Sequence, residues 1–484
     1  MSGEVLKAVP RGWTPRDVQR DILLKVEEKF DSADVFIIRL PVAGGKSLIS
    51  ASLARYLNQR KKWKSRLIVP NNMLLNQYVD SFPWLPTLQK RTSYECTLYE
   101  NQSVRYNCEQ HRAFTTTKDK KGTYCKGCPY VKALRKSRVL PYVTLNYYTY
   151  LAYKLYGEGL IIDEGHLISG MLKSLAAKKL WHHDYKFPNW VRTYGQLYRW
   201  TNEALSRKPE DKKLLALLKE LKANKTRYLI EKGMASYRGE DRQCLKLIPV
   251  DVKNEPPLLW PSKVKKIFFL SGTINRKDIE DIGLGDRRIC VIDAPSPIPV
   301  EQRPLYLDLQ FSLSAGAKDR DLPALAEYIL EAARLNPTRG FIHAPYSLAN
   351  KLKTYLAENP RIMFHNSSSK HDVFQRFLNS EDGIMVASGM YEGIDLAGDA
   401  ARWQIVTKVP WANLMEPAMK YLAEADPEGY ANEAARLVTQ AYGRVCRGPE
   451  DFGATTIVDR SFARLINEWP ELFPGWLKDA IVTE

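Results

Sequence analysis

Nine short apolar runs, four to six residues each, recur along this chain of 484 residues. They lie at 35–40, 66–70, 142–145, 159–163, 265–270, 340–343, 383–387, 403–406 and 454–458. Runs of this length that do not alternate with polar residues read as strands buried on both faces, the signature of parallel sheets covered by helices. Between the early runs lie stretches of helical period. In 17–30 the apolar residues Val18, Ile22, Leu23 and Val26 share one face, and 47–57 and 73–79 continue the alternation. Strand alternating with helix predicts an α/β chain of doubly wound parallel sheets.

The alternation breaks twice. Residues 90–138 carry twelve Lys/Arg against four acids, a local balance of +8, together with four of the seven cysteines. Residues 169–244 are rich in Leu, Lys, Tyr and Trp, with Leu214, Leu215, Leu217, Leu218 and Leu221 at helical spacing, and read as a helical insertion. The expected organisation is a first α/β unit in three parts (1–89, 139–168 and 245–300), interrupted by both insertions, then a second unit over 301–484.

Apolar residues make up 44% of the chain, ample for several cores. No run approaches the roughly 18–20 apolar residues that cross a bilayer, and Met1–Gly12 lacks the layout of a signal peptide. A soluble cytoplasmic protein with no membrane partner is expected. The net charge of +17 attracts polyanions, nucleic acid above all. An odd cysteine count without a secretory signal argues against a disulfide scaffold.

Three segments carry chemistry. Leu40-Pro-Val-Ala-Gly-Gly-Lys-Ser47 follows a strand and opens a helix, the setting in which a glycine-rich loop wraps phosphates. Gly44 and Gly45 allow close backbone approach, Lys46 can neutralise β/γ-phosphates, and the Ser47 hydroxyl can bind Mg²⁺. Leu40 stands where the first glycine of such loops is usual. Asp163-Glu164-Gly165-His166 sits at the carboxyl end of a strand, where ligands of open α/β sheets bind. Asp163 can hold Mg²⁺, and Glu164 can deprotonate an attacking water; an Asp-Glu pair is also a common solvated turn. In Gln440-Ala-Tyr-Gly-Arg-Val-Cys-Arg447, residues Gln440, Arg444 and Arg447 fall at helical spacing, so that two guanidinium groups share a face and would suit an anion between them.

In order and kind these segments, with Ser271-Gly272-Thr273 and Glu392-Gly393-Ile394-Asp395, resemble the superfamily 2 helicases, specifically the XPD/DinG-like iron–sulfur branch. The cysteine-bearing insertion before the acidic box, the second insertion after it, and the closing Val458-Asp459-Arg460-Ser461-Phe462 all fit that branch. Gly165 departs from its usual alanine in a DEAH box. The resemblance implies two RecA-like motor domains with ATP between them, an iron–sulfur insertion, and an arch-like one. It makes Glu164 the catalytic base and Arg444 and Arg447 arginine fingers, with Gln440 in the same motif. Ser271, Gly272 and Thr273 would couple nucleotide state to strand grip. Gly393 and Asp395 would contact nucleotide and strand, and Arg16 and Gln19 would read the adenine. The implied activity is an ATP-dependent DNA helicase moving 5′ to 3′, active as a monomer on single-stranded DNA and on forked or tailed duplexes. An RNA or RNA–DNA hybrid helicase or translocase, and a non-catalytic nucleic-acid-binding module, are the alternatives.

Cys96, Cys108, Cys125 and Cys128 can form a four-thiolate site, and the Cys125-Lys-Gly-Cys128 spacing suits zinc and iron–sulfur ligation equally. The resemblance favours a [4Fe–4S] cluster over Zn²⁺. Lys118, Lys120, Lys121 and Lys126 could follow phosphates nearby, and Tyr124 and Tyr130 could stack on bases.

Overall fold

In the computed structural model the described residues are 3–41, 44–96, 128–223, 228–237, 240–250, 252–253, 259–313, 319–391, 394, 396–448 and 450–482. The first unit holds β1 (Val35–Arg39), β2 (Ser65–Val69), β3 (Thr87–Leu88), β4 (Tyr142–Asn146) and β5 (Gly159–Asp163). The second insertion then contributes β6 (Lys178–Trp181), β7 (Tyr228–Tyr237) and β8 (Glu240–Pro249). β9 (Lys266–Ser271) and β10 (Ile289–Asp293) complete the first sheet, in the order β10-β1-β9-β5-β2-β4-β3. Its described pairings are all parallel.

The pleat divides each buried strand between two cores. Phe36, Ile38, Phe268 and Leu270 pack on one face with Ile49, Leu53 and Leu57 of the helix Lys46–Lys61. Val35, Ile37, Ile267 and Phe269 pack on the other with Val264 and Ile279. Side chains that alternate between faces, each face covered, are why these strands read as continuous apolar runs.

The second unit is built the same way from β11 (Leu305–Phe311), β12 (Gly340–His343), β13 (Ile362–Phe364), β14 (Ile384–Ala387), β15 (Trp403–Val406), β16 (Ala454–Asp459) and β17 (Ile481–Val482). The order is β13-β14-β12-β15-β16-β11-β17, with parallel pairings. The central strands were legible as runs. The edge strands β3, β13 and β17 are two or three residues long and left no such trace.

The second insertion differs from expectation. It contains the helices Tyr194–Arg207 and Lys212–Ala223, as the leucine spacing indicated, but also a three-stranded antiparallel sheet ordered β6-β8-β7. Leu180, Leu245 and Leu247 of that sheet close one core with Leu197, Trp200, Leu214 and Leu221 of the helices. The helical reading failed because alternation in β7 and β8 is diluted by charged residues on the exposed face. The expected boundary at 244 falls inside β8. This insertion also touches the second unit, where β7 packs against the helix Pro417–Ala425.

The two units are fastened directly. The Arg39 guanidinium on β1 donates to the Glu471 and Phe473 carbonyls at 3.3 and 3.4 Å. At the junction Arg303 donates to the Ile298 carbonyl of the first unit at 2.9 Å, and within the second unit to the Tyr442 hydroxyl at 2.9 Å and the Trp476 carbonyl at 2.5 Å. Of the first insertion, Cys96 and the helix Pro129–Val139 are described, whereas Cys108, Cys125, Lys118, Lys120, Lys121, Lys126 and Tyr124 lie outside the described residues.

Candidate active site

The loop after β1 turns into the helix Lys46–Lys61 through Gly45, whose φ of +76° suits glycine. A Cβ there would lie 1.9 Å from Gln19 Nε2 and 2.9 Å from an Arg16 guanidinium nitrogen. Gln19 is buried, donates to the Gly45 carbonyl at 3.2 Å and accepts from the Arg16 backbone amide at 2.9 Å. Arg16 and Gln19 are therefore part of the loop's wall. Gly44 is equally confined, its Cβ position lying 3.0 Å from the Pro41 carbonyl. Val42 and Ala43 fall outside the described residues.

Asp163 ends β5 and is almost fully buried. One carboxylate oxygen accepts from the Tyr78 hydroxyl at 2.8 Å, the other from the Glu164 amide at 2.9 Å, and its carbonyl accepts from Tyr147 at 2.5 Å. Ser47 and Ser50 lie near enough to the same phenol to act on its ionisation, so the Ser47 hydroxyl and the Asp163 carboxylate share one neighbour. Burial, then the neighbouring charge of Glu164, pushes the Asp163 carboxyl above the ordinary carboxylate range.

Glu164 adopts a left-handed backbone, φ +50°, uncommon outside glycine and frequent at functional turns. Its carboxylate lies 3.0 Å from Lys46 Nζ and 3.5 Å from His166 Nδ1. Burial alone would raise its pKa. Lys46, His166 and Arg444 outweigh that and hold it below the usual value. Lys46 is raised in turn, since Glu164 and Asp163 overcome its own desolvation.

His166 joins the two units. Nδ1 lies 2.7 Å from Ser271 Oγ, which also accepts the Thr273 amide at 3.1 Å, and Nε2 lies 3.3 Å from Gln440 Nε2 in the second unit. Burial lowers the His166 pKa to about 4, so the ring is neutral near pH 7. With the Gln440 amide as donor, Nε2 accepts, and the ring proton sits on Nδ1 facing Ser271 and Glu164. Two buried polar atoms beside this contact, Gln440 Oε1 and Thr273 Oγ1, have no hydrogen-bond partner among the described residues. Buried oxygens left so are costly and mark a place for a polar ligand or water. Gly272 between them leaves little room, its Cβ position lying 3.1 Å from the Leu40 carbonyl.

The arginines require a correction. The helix carrying Gln440 ends at Tyr442, and Gly443 caps it. Arg444 and Arg447 lie on the turn that follows, not on a continuing helical face. Arg444 donates to the carbonyls of Tyr391 and Ile394 at 3.0 and 2.8 Å. The Arg447 backbone amide donates to Asp451 at 3.0 Å. Both charges still bear on the site, since Arg444 acts on Glu164 of the acidic box and Arg447 on Lys46 of the phosphate loop. Gly393 and Asp395 lie outside the described residues, although Ile394 between them holds Arg444.

The chain is similar to several known proteins. The family described as "Type III restriction enzyme, res subunit" matches residues 13–186, and "Helicase C-terminal domain" matches 331–480. The ATP-dependent DNA helicase YoaA of Escherichia coli is 26% identical over 237 residues, 44% of this chain and 36% of its own. YoaA of Haemophilus influenzae is 29% identical over 150 residues, 28% of this chain and 23% of its own. The regulator of telomere elongation helicase 1 homolog of Drosophila persimilis is 26% identical over 209 residues, covering 34% and 21%. These matches span about a fifth to a third of the relatives' lengths. In fold, a solved XPD helicase superposes over 95% of this chain and 98% of its own, with a TM-score of 0.59 at 14% identity; Xpd4 of S. tokodaii gives 94%, 98%, 0.55 and 13%. Together the family models, the helicase relatives and the shared fold support an XPD/DinG-like superfamily 2 helicase.

In fold the two sheets match the two RecA-like domains of the solved XPD helicase. Sequence reading missed the residues that hold them together beside the site. Asn275 donates to Asn432 at 2.6 Å, Asn432 donates to Asp278 at 3.0 Å, and Arg436 reaches Asp278 at 2.6 Å. Asp278 is buried, and Lys277 ion-pairs with Asp426 at 2.7 Å. The available signals were Asn275 three residues before Asp278, a capping pattern, and Arg436 one turn before Gln440. Tyr78 and Tyr147 gave none, since apolar-looking tyrosines in α/β segments default to core.

Two buried histidines, His166 and His343, are both depressed to about 4. The unfolded chain therefore binds protons below pH 6.5 that the folded protein refuses until about pH 4. Stability is full above pH 6.5 and falls on acidification through that window, by about 1.4 kcal/mol per pH unit per histidine. Urea unfolding of His166→Asn at several pH values should show a slope shallower by about that amount; an unchanged slope would mean that His166 is not held neutral.

Proposed function

We propose that this protein is an ATP-dependent DNA helicase that moves along single-stranded DNA and opens duplexes ahead of it. The observation that carries the reading is the unbroken chain Lys46–Glu164–His166–Gln440, which links the phosphate loop of one domain to the arginine-bearing turn of the other. A site split between two domains is made for a reaction coupled to their relative motion. The 5′ to 3′ direction and action as a monomer rest on the family resemblance.

The residues act as follows. The triphosphate of ATP enters between the Gly44–Gly45 loop and Arg444 and Arg447, with adenine against Arg16 and Gln19. Lys46 then exchanges Glu164 for phosphate oxygens. Glu164 loses the cation that held its pKa down, becomes a stronger base, and takes a proton from the water that attacks the γ-phosphate. Arg444 and Arg447 stabilise charge on the transferred group. The partnerless oxygens of Gln440 and Thr273 offer acceptors for that water. Ser47 and Asp163, a hydroxyl and a carboxylate side by side, fit Mg²⁺ and would hold it; the ion would neutralise phosphate charge. Loss of the γ-phosphate changes what Gln440 and the arginines can grip, and His166 passes that change to Ser271 and Thr273.

The cysteine insertion would serve as a duplex-splitting element. Cys128 is buried, Cys96 is packed on the same apolar cluster, and neither is in a disulfide. By the family resemblance Cys96, Cys108, Cys125 and Cys128 would hold a [4Fe–4S] cluster. It would staple a segment that has little core of its own.

Lys46→Ala and Glu164→Gln should each lower DNA-stimulated ATP turnover by about 10²–10⁴-fold, while single-stranded DNA binding in a filter assay stays within about threefold. Full turnover in either variant refutes the mechanism. Anaerobically purified protein should contain iron and acid-labile sulfide in equal amounts. Stoichiometric zinc would replace the cluster with a zinc site, and absence of any metal would remove both.

A further inference from the structure

Two fully buried polar side chains, His343 on β12 and Gln404 on β15, stand in the middle of the second sheet and take no part in the hydrolytic scheme above. Gln404 is paired with Phe341 on β12 and with Thr455 on β16, and His343 lies two residues beyond Phe341. The pleat therefore puts His343, Gln404 and Thr455 on one face of the sheet. The Gln404 amide nitrogen donates to Thr455 Oγ1 and to the Ala441 carbonyl, both at 2.8 Å, and its oxygen lies 3.0 Å from His343 Nε2. With both amide protons engaged, that oxygen accepts, so the His343 ring carries its proton on Nε2.

These contacts end on the turn that carries Arg444. Ala441 lies in the last turn of the helix Pro427–Tyr442, where carbonyls lack helical partners. Its carbonyl accepts the backbone amide of Arg444 at 3.0 Å, so Gln404 and Arg444 share one acceptor. On the other side the His343 ring stacks on Tyr391, with centroids 5.1 Å apart and planes 15° apart. The Tyr391 carbonyl accepts from Arg444 Nε at 3.0 Å. The pair thus supports Arg444 twice, through the helix end that fixes its backbone and through the residue that holds its guanidinium. Thr407 clamps His343 in turn, its hydroxyl and amide donating to the His343 carbonyl at 2.7 and 3.1 Å. As mere core this arrangement is costly. His343 Nδ1 and the Tyr391 hydroxyl are buried with no hydrogen-bond partner among the described residues, and apolar residues of similar size would avoid that penalty. Burial, with the Arg444 charge behind it, depresses the ring to about 4 against the pull of Gln404, so near pH 7 no charge on His343 opposes the arginine.

We propose that His343 and Gln404 are positioning residues that hold Arg444 in register with Glu164 across the domain interface for ATP hydrolysis. Both act through the arginine and not on the nucleotide. A catalytic group displaced by about 1 Å can lose about 10²-fold in rate, which is the scale at stake. The proposal deepens the helicase reading and rests on it.

The test is steady-state ATP turnover by the full chain with saturating oligothymidylate. His343→Phe keeps the ring and its stack but removes the donor to Gln404, and Gln404→Leu removes the clasp on Ala441. Each should lower kcat by about 10–100-fold, with KM for ATP and affinity for the oligonucleotide within about threefold of wild type. His343→Gln, which offers Gln404 an N–H again, should recover most of the loss. Combining either change with Arg444→Ala should leave kcat within about twofold of Arg444→Ala alone, since residues that act through one group are not additive. A general loss of structure would instead add its own factor. If Gln404→Leu does not fold, the His343 variants decide. Wild-type kcat in His343→Phe, or losses that multiply when combined with Arg444→Ala, overturn the positioning role while leaving the helicase reading in place. Full turnover in Arg444→Ala, or a wild type that oligonucleotide does not stimulate, removes the parent reading and the proposal together.

Discussion

Everything at the centre of this protein depends on a single cation, Lys46, held 3.0 Å from Glu164. Two adjacent carboxylates in a buried setting repel each other, and one of them must be neutralised or protonated. Lys46 resolves the conflict unevenly: Glu164 is held charged, while Asp163 is pushed up and takes hydrogen bonds from Tyr78 and the Glu164 amide. The same ion pair keeps the proposed base quiet until a phosphate competes for the lysine.

The second constraint is that the site is shared. The buried ring nitrogens of His166 face Ser271, with Glu164 behind it, on one side and Gln440 on the other. A neutral ring with one donor and one acceptor fits both, which ties the acidic box to the second domain. Around it, Asp278, buried and bound by Asn432 and Arg436, sets the distance between the helices that carry these residues. Removing one partner would leave a charge buried and uncompensated, a costly state. The domains are thus held by polar contacts that a nucleotide can rearrange, and an apolar interface of equal size would not release so readily.

Much of this was legible from the chain alone. The buried runs at 35–40 and 159–163 showed where strands end, and in parallel sheets the end of a strand is where chemistry collects; Lys46, Asp163 and Glu164 followed from that. Arg16 and Gln19 came from resemblance, as readers of the adenine; their contact with the phosphate loop, Gln19 on the Gly45 carbonyl, had no signal of its own. Other features depend on contacts distant in sequence. Helical spacing misplaced Arg444 and Arg447, because Gly443 ends the helix first. Leucine spacing named the helices of the second insertion but not β7 and β8, whose exposed faces are charged. Asn275 and Asn432, 157 positions apart, carry no local sign that they will meet.

The central claim, that His166 couples nucleotide hydrolysis to the grip on the strand, is tested most directly by ATP turnover with and without saturating single-stranded DNA in wild type and His166→Ala. The account predicts strong stimulation in the wild type and its loss in the variant, with turnover in the absence of DNA much less affected. Equal stimulation in both proteins would contradict it.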